Sequence, residues 1–377
     1  VLTLTRLVLT DFRNHPALNW RPEGRISVLT GPNGAGKTNL LEAITLLGPG
    51  RGLGRARLAE MARQGGPGTW TISGRLQRAG QQTDIGTGLL APGSDRRAFR
   101  LDGAEPRTQA DIAAHLATIW LTPQMDSLFA ESATGRRRFL DRLVWALEPG
   151  HAREATALET AMAERRRVLE TAREKGRGPD PAWLSGLEDS IARHATALSA
   201  ARAAFTTRLN AAAARDSGFP HVRLALEDPI ATRLANTPAL AVEDWLRAEL
   251  AARRAADAAA GTSTLGAHRA DMRLHDAATG LDAAHASTGQ RRAMLTGLIL
   301  AHAALITQAR GFAPLLLLDE PAVHLDEQRR AALWHELIGL EAQVFLTGTD
   351  VAPFAALKGH AEFLNVQPGE VSKNVLF

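Results

Sequence analysis

The chain has 377 residues, 45% of them hydrophobic, which is enough for a sizeable core spread over two or three domains. Its 44 Lys+Arg against 40 Asp+Glu leave a formal net charge of +4, and the absence of cysteine excludes disulfides and any cysteine-based metal site. There is no run of 18 apolar residues. Leu295 to Ile306 is apolar but too short to cross a bilayer and is interrupted by His302, and the start shows no basic region followed by an apolar run. The expectation is a cytoplasmic protein without a membrane helix.

In chain order, the first clear element is a short buried strand over Arg25 to Thr30. Gly31-Pro32-Asn33-Gly34-Ala35-Gly36-Lys37-Thr38 follows and matches the phosphate-binding pattern G-x-x-x-x-G-K-[ST]. From Asn39 to Leu47 the apolar residues Leu40, Leu41, Ile44 and Leu47 recur at a helical period. Strand, glycine-rich loop and helix together aim free backbone N–H groups at a phosphate. Lys37 suits contact with the β- and γ-phosphates and Thr38 suits Mg²⁺. Lysine occurs only at Lys37, Lys175, Lys358 and Lys373, so this arginine-preferring chain keeps lysine where a compact ammonium is needed.

Trp70 to Leu76 and Phe99 to Gly103 read as strands of an antiparallel layer. Residues 133–216 are instead rich in Ala, Arg, Leu and Glu. Two long helices are expected, His151 to Glu174 and Ala182 to Arg215, about 36 and 50 Å long at 1.5 Å per residue. Lys175 to Pro181 breaks them, and Glu164-Arg165-Arg166-Arg167 is expected on an exposed face. After Gly218 the strand-like segment His221 to Leu226 is expected to return to the nucleotide-binding part, and Thr237 to Ala259 reads as helix. Asp271, Asp276 and Asp282 flank a short hairpin without tight metal-ligand spacing. His268 and Arg269 read either as phosphate-positioning groups or as a hydrogen-bonded turn before a strand.

Ser287-Thr288-Gly289-Gln290 precedes an apolar helix over Gln290 to Ala301. The serine is equally a simple N-cap and part of an anion site, since a helix N-terminus can serve both. Leu315 to Leu318 reads as a fully buried strand delivering Asp319 and Glu320. The aspartate suits Mg²⁺, and the glutamate suits the attacking water as base or orienter. Charge is uneven along the chain, with net +6 over residues 1–150, +1 over 151–260 and −3 over the rest. The N-terminal part is the better candidate for a polyanion surface. Its arginine clusters Arg51/Arg55/Arg57/Arg63, Arg96/Arg97/Arg100 and Arg136/Arg137/Arg138 are candidates for DNA contact, though each taken alone reads more readily as solvated surface.

With these residues in hand the chain resembles the ABC-type ATPases, and within them the SMC-like RecF family of bacterial recombination mediators. Ala286 to Gln290 resembles the signature loop, Leu325-Asp326 the loop after the acids, and Thr347-Gly348-Thr349-Asp350 the switch segment. Leu7 to Asn14, Leu121 to Gln124, Gly135 to Asp141 and Gly266 to Asp271 resemble further family segments, the last with alanines replacing Pro and one Asp. Thr349 stands where many ABC ATPases carry a histidine, which implies slow hydrolysis.

The resemblance implies an α/β fold, an ABC-type ATPase head with a mixed P-loop sheet and an antiparallel β layer, plus a smaller helical arm. Residues 1–130 and 217–377 would form the head and 131–216 the arm. It implies that ATP is bound by Arg13, Gly31, Pro32, Asn33, Gly34, Ala35, Gly36, Lys37, Thr38 and Asn39, with Mg²⁺ at Thr38, Gln124 and Asp319. Lys37, Gln124 and Glu320 would be catalytic, and Ser287, Gly289 and Gln290 would complete the site of a second copy. It further implies an ATP-dependent homodimer on single-stranded, gapped or junction DNA, with RecR- and RecO-type partners, recombinase loading and the SOS response. A transporter ATPase subunit shares the motifs, but the 250 residues between Lys37 and Ser287 disfavour it.

Overall fold

The computed structural model describes residues 1–374 except Arg55, Arg177, Pro179 and 214–217. One arginine of the first basic cluster, part of the expected helix break and the expected end of the second arm helix therefore lie outside the described residues. The chain divides into two compact units, one of Val1–Asp126, Arg215–His221 and Ala286–Phe377, the other of Ser127–Ala214 and Val222–His285.

The first unit holds two sheets. One is antiparallel, with the order β2 (His15–Trp20), β1 (Leu2–Phe12), β4 (Trp70–Arg78), β5 (Gln81–Leu89), β6 (Ala98–Leu101). β1 buries Leu2, Leu4, Leu7, Leu9 and Phe12. Strict alternation would send Leu7 outward after Leu4. A register shift against β4 between Leu4 and Arg6 absorbs one residue and restores the inward face.

The other sheet runs β13 (Glu370–Lys373), β12 (Glu362–Gln367), β3 (Ile26–Thr30), β11 (Val344–Gly348), β10 (Leu315–Leu318), β7 (Thr118–Leu121). All its pairs are parallel except β12 with β13. β3, β10 and β11 are buried at every residue, as parallel strands covered on both faces require. Helix α1 (Lys37–Leu47) packs on β4 and β5 of one sheet and on β11 of the other. A helix held between two layers needs apolar residues all round, which explains the burial of Leu40, Leu41, Ile44, Leu46 and Leu47. The unit is completed by α2 (Gln109–His115), α9 (Thr288–Arg310) and α10 (Glu327–Gly339).

α9 extends beyond the apolar stretch read from the sequence. At 23 residues it is long and apolar enough by length and composition to cross a bilayer, yet 78% of its most apolar window is buried within the protein. Its arginines lie near its ends, so the apolar stretch extends beyond Leu295 to Ile306.

The second unit is mainly helical: α3 (Ala133–Leu147), α4 (His151–Glu174), α5 (Pro181–Ala213), α6 (Pro229–Leu234), α7 (Ala239–Ala252) and α8 (Arg254–Ala260). α4 and α5 form the expected hairpin, and α7 packs along α5. Leu158, Ile191, Ala195 and Leu198 meet Val242, Leu246 and Leu250 in its core.

Two expectations change here. β8 (Val222–Glu227) pairs antiparallel with β9 (Asp271–Asp276) inside this unit, so the chain rejoins the first unit for good only at Ala286. The expected boundary at 217 thus gives way to one set by strand pairing and by the packing of α6 and α7 on α5. Arg165, expected on an exposed face, is fully buried. Its guanidinium donates to Glu188 at 3.1 Å, Asp257 at 2.7 Å, Ser263 at 3.0 Å and the Leu250 carbonyl at 2.7 Å. A buried guanidinium requires such full pairing.

Candidate functional site

The glycine-rich loop connects β3 to α1 in the first unit. Gly31 has φ 149°, and a Cβ there would lie 2.8 Å from the Val366 carbonyl oxygen. Gly36 has φ 102°, and a Cβ there would overlap the Asn14 and His15 side chains. Both positions therefore demand glycine. Gly36 also ends the loop with no side chain to cap α1, so first-turn N–H groups remain for an anion. Lys37 is almost fully buried, and its ammonium donates to the Gly31 carbonyl at 2.6 Å and the Pro32 carbonyl at 3.0 Å. Desolvation lowers its pKa from the ordinary range, opposed by the charges of Glu320 and Asp319.

Those two acids leave the C-terminal end of β10. The Thr38 hydroxyl donates to Asp319 at 3.0 Å to Oδ1 and 3.2 Å to Oδ2. Hydroxyl and carboxylate are hard oxygen donors and fit Mg²⁺, which keeps several waters and takes one or two protein oxygens beside a substrate phosphate. The described residues contain no group of three or more His, Cys, Asp or Glu that could hold a metal ion. Glu320 has φ 47°, a left-handed backbone that non-glycine residues rarely adopt.

Several groups around these residues are not among the expected site residues, although Thr347 opens the switch segment and Asn14 ends the Leu7 to Asn14 segment. Thr347, at the end of β11, donates to Asp319 Oδ1 at 2.6 Å and accepts the Glu320 N–H at 2.9 Å. Arg292 on α9 is 1% exposed and donates to the carbonyls of Thr122 at 2.9 Å and of Asp319 and Glu320 at 3.2 Å each, and to Asp126 at 3.2 Å. Asn14 donates to the Gly34 carbonyl at 2.9 Å and accepts from Asn39 at 2.8 Å. His15 Nδ1 accepts the Gly369 N–H, which leaves Nε2 protonated toward the Gly36 carbonyl at 3.4 Å. The sequence signals that could have found them are the end of the Leu7 to Asn14 segment for Asn14 and His15, and the switch segment for Thr347.

The expected site residues separate into groups. Residues 31–39, Asp319 and Glu320 converge. Gln124 is exposed, on the short turn after β7, three residues beyond Leu121, which pairs with Leu318. Arg13 is committed elsewhere: it forms a two-pronged pair with Glu42 of α1 at 2.7 and 2.8 Å and donates to the Glu60 carbonyl at 3.0 Å. A nucleotide contact from Arg13 requires that pair to open. Ser287 caps α9 in a reciprocal capping box with Gln290, at 3.3 Å to the Gln290 N–H and 2.9 Å from the Ser287 N–H to Gln290 Oε1. Both residues are exposed, with Gly289 beside the His324 carbonyl. In the switch segment Thr349 is exposed and bonds Asp350 at 3.3 Å.

Much of the expected polyanion surface has structural partners. Arg63 pairs with Asp11. Arg97 donates to the carbonyls of Leu46, Gly48 and Gly50, and burial pushes its pKa down to about 10. In the second unit Arg136 forms a two-pronged pair with Asp271 at 2.8 and 2.6 Å, and Arg137 donates to the Ala270 carbonyl at 2.8 Å. Arg51, Arg57, Arg96, Arg100 and Arg138 stay exposed. His268 accepts the turn role: its Nε2 lies 2.8 Å from the Ser263 carbonyl, just before β9.

Residues 3–357 match the family described as the RecF/RecN/SMC N terminal domain. The chain is 43% identical over 374 residues to the DNA replication and repair protein RecF of Rhizobium etli, covering 98% of each. It is 44% identical over 374 residues to RecF of Rhizobium meliloti, again covering 98% of each. Among solved structures it resembles the recombination mediator protein RecF-ATPrS in the RecFOR pathway, with a TM-score of 0.84, 21% identity and coverage of 99% of this chain and 98% of that one. It also resembles the Smc head domain with an extended coiled coil bound to the C-terminal domain of ScpA from Pyrococcus furiosus, with a TM-score of 0.51, 15% identity and coverage of 99% and 96%. Both likenesses agree with the ABC-type head fold expected from the motifs.

Proposed function

The chain belongs to the RecF family of the RecF/RecN/SMC group, and from that premise we propose that it is an ATP-dependent DNA-binding protein of replication and recombinational repair. The observation that carries the reading is the meeting of Thr38 with Asp319 beside the glycine-rich loop. It joins a phosphate cradle to a hard-metal site, as ATP chemistry requires.

In this reading the N–H groups of residues 34–38 cradle the phosphates, and Lys37 leaves its loop carbonyls for the β- and γ-phosphates. Thr38 and Asp319, with Gln124, hold Mg²⁺, which supplies charge neutralisation on the phosphoryl oxygens. Glu320 orients or deprotonates the attacking water. Ser287, Gly289 and Gln290, at the start of α9 with Ser287 and Gln290 exposed, meet the γ-phosphate held by a second copy, so that ATP joins two heads. Slow hydrolysis then times residence on gapped or junction DNA. RecR- and RecO-type proteins would be the partners, recombinase loading and the SOS response the outcome, and the nucleoid the place of action. A variant reading, a clamp for which ATP binding matters more than turnover, is favoured by Thr349 in the switch segment.

Sedimentation of the purified protein with Mg-ATP, with and without a gapped duplex, tests this. Monomers that become DNA-bound dimers only with ATP are expected. Monomers indifferent to both ligands would remove the two-head mechanism.

A further inference from the structure

We propose that Thr347 is a positioning residue for the metal-facing carboxylate, tying Asp319 and the backbone of Glu320 into one hydrogen-bond chain. The proposal deepens the ATPase reading and rests on it. Three observations carry it.

The first is register. β10 and β11 are parallel with Leu318 opposite Leu346, which sets Thr347 opposite Asp319 at the strand ends. The second is the direction of the bonds. The Thr347 hydroxyl lies 2.6 Å from Asp319 Oδ1 and 2.9 Å from the Glu320 nitrogen. The amide can only donate, so the single hydroxyl hydrogen goes to the carboxylate. The third is strain. Glu320 is held at φ 47° with its N–H fixed by Thr347 and its carbonyl by Arg292, so both sides of the unusual residue are tethered.

Thr38 also donates to Asp319, but Thr38 is the group that would turn to the metal. Thr347 then keeps Oδ1 in place. Because Thr347 is fully buried, no solvent can substitute for its hydroxyl. A hydroxyl that served only packing would affect stability without affecting the metal requirement.

The test compares Thr347→Ser with Thr347→Ala in the full chain. Both lack the methyl group, so any cavity affects them alike and only the hydroxyl distinguishes them. Equilibrium binding of a fluorescent ATP analogue is titrated with Mg²⁺, beside binding in excess EDTA and thermal unfolding. The serine variant is expected to follow the wild type. The alanine variant is expected to need about tenfold more Mg²⁺ for the same binding, with its EDTA affinity unchanged. Equal Mg²⁺ titrations for serine and alanine overturn the proposal and leave the nucleotide site standing. A wild-type protein that binds no analogue at any Mg²⁺ overturns the nucleotide site itself. If the alanine variant does not fold, Thr347→Val, which keeps the volume, replaces it; loss of fold in both shows a purely structural hydroxyl and also overturns the proposal.

Discussion

Thr38 and Asp319 are 281 residues apart in sequence, yet the threonine hydroxyl lies 3.0 and 3.2 Å from the two carboxylate oxygens. They meet because β3 and β10 both flank β11 in one parallel sheet. The loop leading into α1 and the acids after β10 then leave the same edge, as parallel strands present all their C-terminal ends together.

Lys37→Met removes the ammonium that now bonds Gly31 and Pro32. Nucleotide affinity is expected to fall about 10- to 100-fold for each charge-assisted hydrogen bond lost, with circular dichroism unchanged. Wild-type affinity in a fluorescent-ATP titration would take Lys37 out of the site.

Glu320→Gln keeps the shape of the side chain and removes the carboxylate proposed to orient or deprotonate the attacking water. Phosphate release is expected to slow by about 10²- to 10⁴-fold, and the proposed ATP-joined dimer to last longer. A dimer lifetime equal to wild type would mean that hydrolysis is not the release step.

Ser287→Ala deletes the N-cap of α9 at a cost of about 1 kcal/mol. Each head should still bind ATP as tightly as before, while ATP-dependent association in sedimentation weakens. Undiminished association would restrict Ser287 to capping.

Arg165→Met leaves the buried carboxylates of Glu188 and Asp257 without their shared cation, although Glu188 keeps Arg254. Breaking such a network typically costs about 3–5 kcal/mol. Denaturant melts give the answer directly; a change below about 1 kcal/mol would contradict the buried network.

Burial lowers the pKa of His15 from its ordinary 6.5, the bond to Gly36 opposing, and burial likewise lowers that of His268. As pH falls below 6.5 the unfolded chain takes up these protons before the folded one does. Stability is therefore present above 6.5 and lost on acidification, until the folded rings protonate in turn. Melts at pH 7.5 and 5.5 should show this loss, and His15→Gln should shrink it without abolishing it, because His268 remains. An unaltered pH slope in His15→Gln would show that His15 titrates normally.

Local patterns carried much of this protein. The helix expected over His151 to Glu174 is α4 with the same bounds, and the four leucines before Asp319 are the strand β10. Glycine spacing announced the loop because each steric demand there is local: Gly31 and Gly36 need positive φ and no Cβ. The arginines were poorly legible by comparison. Arg165, Arg97 and Arg136 look in sequence like solvated or DNA-facing charges, and each is bound to protein carbonyls or carboxylates.

Sequence alone determined the glycine-rich loop, the acid pair, the helical hairpin and the family, since these depend on residue type at short fixed spacing. Only the tertiary structure decided that Thr347 and Arg292 grip the acids, that Arg13 is held by Glu42, and that β8 pairs with β9 rather than returning to the first unit. The physical reason is common to all of them. Strand register and the desolvation of charge are set by partners tens to hundreds of residues away, and a lone threonine or arginine carries no local mark of the partner it will meet.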